Sequence, residues 1–107
     1  MPFDAFDVAL EIIRRLREPL AAIGERDPAL AQQLRRAAAS VPLNLSEGRW
    51  RHGRDRIHLW RVAAGSADEV VASLRVAEAW GHVDGASIAP ALALCDRVLA
   101  MLWRLTH

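Results

Sequence analysis

The sequence predicts an all-α protein: a four-helix bundle that associates with copies of itself. Three observations predict it. Apolar residues recur at helical spacing in four separate stretches. No window of six residues alternates convincingly between β-branched apolar and polar residues, so no sheet is expected. Helices three and four carry more apolar surface than the single buried stripe that each bundle helix needs, and a second copy is the natural cover. At 107 residues, the chain is one domain (1–107) with a single modest core.

The first helix is expected over roughly Phe3–Gly24, with Phe6, Leu10, Ile13, Leu16, Leu20 and Ile23 on one stripe. Pro19 removes a hydrogen bond to Arg15 and crowds its carbonyl, so a kink or break is expected near residues 15–18. Asp27-Pro28 reads as an N-cap followed by proline at the first helical position. The second helix then runs to about Glu47, bent at Pro42, with Ser40 or Asn44 supplying local hydrogen bonds and Gly48 as the stop. A short basic linker, Arg49–Gly53, exposes Trp50. The third helix spans about Arg54–Trp80 and closes at Gly81; its polar positions make one narrow stripe. The fourth, about Ser87–Thr106, has Pro90 in its opening turn and only Asp96, Arg97 and Arg104 as charges.

Composition narrows the class. An apolar fraction of 52% with 25% charged residues does not fit a disordered chain. No uninterrupted apolar run approaches the ~18 residues of a membrane span, and MPFDAFD lacks the basic start of a signal peptide. A single cysteine, Cys95, forms no internal disulfide. A reducing cytoplasm, with no membrane association, is the expected compartment.

The informative stretch is Leu34–Arg61. It holds seven of the fourteen arginines against two acids, Glu47 and Asp55, on a chain whose net charge is only +1. Every basic residue is arginine, a bias that a GC-rich genome produces without selection for binding, so only the clustering counts. Arg49, Arg51, Arg54, Arg56 and Arg61, with His52, His58 and Trp50, offer guanidinium groups for phosphates and an indole on which an unpaired base can stack. The competing reading is a solvated turn.

The run QLRRAAASVPLNLSEG (Gln33–Gly48) resembles the signature of the four-helix-bundle family first described from intervening sequences in 23S ribosomal RNA genes. Ala63, Gly65, Ser66, Glu69 and Leu74 resemble that family's second motif. The resemblance spans nearly the whole chain. It implies an up-down-up-down bundle, a homopentamer, and kinship with the accessory proteins of diversity-generating retroelements. Those bind nucleic acid and a reverse transcriptase, so RNA, DNA and such a protein are the partners it implies. Ser46 stands where alanine is usual, and Trp50 and Gly53 depart from the usual linker.

The polar motif residues Arg35, Arg36, Asn44, Glu47 and Glu69 read either as a ligand site or as structure. In the structural reading, Asn44 serves backbone groups freed by Pro42. Glu47 and Glu69 pair with Arg35 or Arg36, within the bundle or across a subunit boundary. Gly65 and Ser66 read as a place of close helix approach. No histidine pair at i,i+4 and no cysteine set supports a metal, no motif supports a cofactor, and no catalytic constellation supports an enzyme. The alternative function is an oligomeric protein–protein scaffold with no nucleic-acid role.

Overall fold

The computed structural model describes residues 3–107. Among them are four helices and no strand: α1 (Asp4–Arg26), α2 (Pro28–Arg49), α3 (Gly53–Trp80) and α4 (Gly85–Thr106). At 1.5 Å per residue, the 28 residues of α3 set the 42 Å length of the molecule. α1 packs on α2 and α4, and α3 packs on the same two. Ile12, Leu16, Leu34, Leu45, Leu74 and Leu102 are fully buried in the shared core.

α1 is continuous through Pro19, so of the expected kink or break, the break does not occur. Pro19 sits on the buried stripe between Leu16 and Ile23. Core contacts on either side hold the helix through the missing hydrogen bond. The single residue Asp27 links α1 to α2, and its Oδ1 accepts from the Leu30 amide at 3.1 Å, with Pro28 at the first helical position.

α2 also runs through its proline and ends at Arg49, two residues beyond expectation. Gly48 is therefore not a stop. It is buried inside the last turn, where an added Cβ would lie 2.6 Å from Cδ1 and Nε1 of Trp60. The glycine makes room for an indole. Trp60 donates its Nε1–H to the Leu45 carbonyl at 3.2 Å, so one aromatic side chain fixes the height of α3 against α2.

Asn44 serves the backbone, but not the group that Pro42 frees. That group is the Ala38 carbonyl, whereas Asn44 Nδ2 donates to the carbonyl and to the hydroxyl of Ser40, both at 2.9 Å. Ser66 Oγ donates to the same Ser40 hydroxyl at 2.7 Å, which joins the two sequence motifs across α2 and α3. Gly65 does not allow a close approach within the chain. It is exposed, and nothing lies within 4 Å of a Cβ built on it.

α3 ends as expected at Gly81, in the left-handed conformation at φ +80°; the His82 amide donates to Ala77 and that of Gly81 to Glu78, both at 2.9 Å. α4 starts at Gly85, earlier than Ser87, because Asp84 is the cap: its Oδ1 accepts from the Ser87 amide at 2.8 Å. α4 has 22 residues and a window of mean hydropathy 1.5, long and apolar enough to cross a membrane. Counting uninterrupted runs had missed this, since Asp96 and Arg97 split the helix. In the fold it buries Ile88, Ala91, Cys95, Val98 and Leu102.

Candidate nucleic-acid interface at the α2–α3 turn

The turn is built by the end of α2, three linking residues and the first two turns of α3. Trp50 caps α2 and is 76% exposed. The Arg49 guanidinium lies over two aromatic rings, 5.5 Å from that of Trp50 and 5.8 Å from that of Phe3. Arg51 donates to Glu47 Oε1 at 3.2 Å, an exposed pair one turn apart. His52, Arg54 and His58 are exposed and make no hydrogen bond or ion pair among the described residues. Gly53, at φ +57°, lets the chain turn from the link into α3 with no neighbour within 4 Å.

Two members of the arginine cluster have other work. Arg56 donates from Nε to the Gly48 carbonyl at 3.2 Å and from Nη2 to the Arg49 carbonyl at 3.0 Å. It caps α2 with its positive charge at the negative end of the helix dipole, and stands 5.4 Å from the Trp60 ring. Arg61 donates from Nη2 to the Thr106 carbonyl at 3.1 Å and so closes the end of α4. The cluster divides into an outward set, Arg49, Trp50, Arg51, His52, Arg54 and His58, and two capping arginines. Sequence spacing carried no sign of the division, because each cap joins residues far apart in the chain.

Within one chain, the expected motif pairs do not form. Glu47 pairs with Arg51 rather than with Arg35 or Arg36. Arg35, Arg36 and Glu69 make no hydrogen bond or ion pair among the described residues, and all three are exposed. Arg35 lines a groove of about 870 Å3 between α1 and α2, with Arg17, Ile13, Leu16 and Leu20. At the other end of the molecule, His82 lies 3.6 Å from Asp27 Oδ2, and its buried Nδ1 has no partner. Burial, followed by the negative charges of Asp96 and Asp68, pushes the Cys95 thiol up to about 12, so it stays protonated and unreactive at neutral pH. Among the described residues, no group of three or more His, Cys, Asp or Glu is placed to hold a metal ion.

Four helices and no strand among the described residues, with charge concentrated at one junction, make this a small all-α protein. The chain belongs to the 23S rRNA-intervening sequence protein family, whose sequence pattern matches residues 3–104. Its fold is that of a crystal structure from Bacteroides thetaiotaomicron, described as a protein with unknown function from the S23 ribosomal protein family. The TM-score is 0.86 at 16% sequence identity, covering 95% of this chain and 97% of that one. Comparison with curated proteins finds no match.

Proposed function

We propose that this protein is a non-enzymatic, cytoplasmic, antiparallel four-helix bundle that assembles into a homo-oligomer, a pentamer, and binds RNA or DNA through the α2–α3 turn. It would act as an accessory to a nucleic-acid enzyme such as a reverse transcriptase. The observation that carries the reading is the outward set at the turn: an indole 76% exposed, flanked by Arg49, Arg51 and Arg54. Against these cations stand only Asp55 and Glu47, the latter already paired with Arg51. Concentrated charge attracts a polyanion even on a nearly neutral particle. Links of one, three and four residues between helices favour the antiparallel arrangement. Copies of the turn, repeated by symmetry, would form a basic ring.

Fluorescence anisotropy with short RNA and DNA at low salt tests the reading. Changing Arg49, Arg51 and Arg54 together to glutamine is expected to weaken binding to all sequences alike and to flatten its salt dependence, since each neutralised phosphate releases about one counterion on a duplex. Equal, weak binding by wild type and triple variant would overturn it.

A second reading, the oligomeric scaffold, has its own support. Leu43 on α2 and Val62, Val76 and Trp80 on α3 are exposed large apolar side chains on the two helices that Ser40 and Ser66 tie together. Light scattering distinguishes the parts: a mass near 11.8 kDa at micromolar concentration would remove the oligomer from both readings.

A further inference from the structure

A second indole is exposed close to the start of α3. Trp103 is 62% exposed, although it sits in the most apolar helix of the protein. Leu94 and Arg97 line a groove against α1, together with Asp4, Asp7 and Glu11. Trp103 follows Leu94 by nine residues, about two and a half turns. It therefore lies on the opposite flank of α4, the one that packs on α3.

Arg61 fixes how these parts meet. Its hydrogen bond to the Thr106 carbonyl ties the start of α3 to the last turn of α4. The His107 ring stacks on the Trp103 indole with centroids 3.4 Å apart, which holds the indole in one pose. α3 presents a shallow depression lined by Arg54, Ile57, His58 and Arg61, the last of which reaches α4. The basic strip has an edge: Asp68 on α3 and Asp96 on α4 each come near enough to the Cys95 thiol to act on it.

We propose that Trp103 is a second base-stacking platform, and that the ligand is single-stranded nucleic acid laid across the start of α3 from Trp50 to Trp103. This rests on the reading that the α2–α3 turn binds nucleic acid, and it names the class. A basic strip alone attracts any polyanion. Two indoles on either side of it add contacts that only unpaired bases can use, because the bases of a duplex are already stacked on one another. Phosphates between the stacked bases would face Arg54 and His58, while Asp68 and Asp96 repel the strand beyond Trp103.

The test is anisotropy at low salt with two labelled probes, an oligothymidine of about 20 nucleotides and a duplex of the same length, a size ample for one such strip. Trp103→Ala is expected to weaken oligothymidine binding about tenfold and to leave the duplex unchanged, with Trp103→Phe recovering most of the loss. Trp50→Ala should show the same selectivity. If Trp103→Ala leaves oligothymidine binding unaltered while Trp50→Ala weakens it, the second platform is wrong and the nucleic-acid reading stands. If wild type binds neither probe, the nucleic-acid reading itself fails. If Trp103→Ala lowers the mass seen by light scattering, the indole is a subunit contact and the proposal is overturned.

Discussion

The two ends of the molecule close their helices by different means. At one end, the α1–α2 link and the α3–α4 turn use local caps: Asp27 to Leu30, Asp84 to Ser87, and the Gly81 turn. Each joins residues within five positions. At the other end, α2 has a local turn, with the Trp50 and Arg51 amides on the Glu47 and Gly48 carbonyls, but bonds from a distance join it there and at the end of α4. Trp60 reaches Leu45, Arg56 reaches Gly48 and Arg49, and Arg61 reaches Thr106, over 15, 8, 7 and 45 positions. A local cap stabilises one helix. A distant cap stabilises one helix only when another is in place, so the basic end couples three helices while the other end closes each nearly alone.

That difference sets an order of effects. Trp60→Ala should cost about 3–5 kcal/mol, because it empties a buried site and removes the hydrogen bond to the Leu45 carbonyl. Gly48→Ala should cost about 1–3 kcal/mol by overpacking against the same indole. Urea denaturation followed by far-UV circular dichroism measures both, and a neutral Gly48→Ala would dissolve the idea that the indole needs that gap. Next come two arginines two residues apart. Arg56→Ala should cost about 1–2 kcal/mol through its charged hydrogen bonds to two carbonyls, whereas Arg54→Ala should stay within about 0.5 kcal/mol. Equal effects in the same titration would erase the division between capping and outward arginines.

At the locally capped end, Asp27→Ala should cost about 1 kcal/mol. Its thermal midpoint, compared with that of Arg56→Ala, shows whether local or distant caps matter more. The smallest effect has the opposite sign. Gly65→Ala should stabilise by about 0.5–1 kcal/mol, since the site is exposed and open and alanine is the better helix former. A loss of stability there, in dilute protein, would mean that something covers Gly65 in solution.

What could be read in the sequence follows the same line. Helix number, Asp27 as cap, Gly81 as terminator and the junction around Gly48–Gly53 are local signals, carried by residues within a turn of one another. The uninterrupted course of α1 through Pro19 was not legible, because the stripe of Leu16 and Ile23 that holds it acts through partners on other helices. Gly48 looked like a terminator because glycine ends helices more often than it receives an indole; only the height of Trp60 on α3 shows which applies here. The outward arginines could not be told from the capping ones for the same reason. Arg54 and Arg56 are the same residue type in the same turn, and carbonyls at Gly48 and Arg49 alone set them apart.

The burial of Trp60 also makes the protein its own optical probe. Of four tryptophans, Trp60 alone is shielded from water, while Trp50, Trp80 and Trp103 are wet. Native emission is thus dominated by indoles that already sense solvent, and unfolding of the wild type should shift it little. Replacing the three exposed tryptophans by phenylalanine would leave a lone emitter wedged against Gly48, shielded from soluble quenchers. Its red shift would then report the opening of the site where α2 and Phe3 close on the indole.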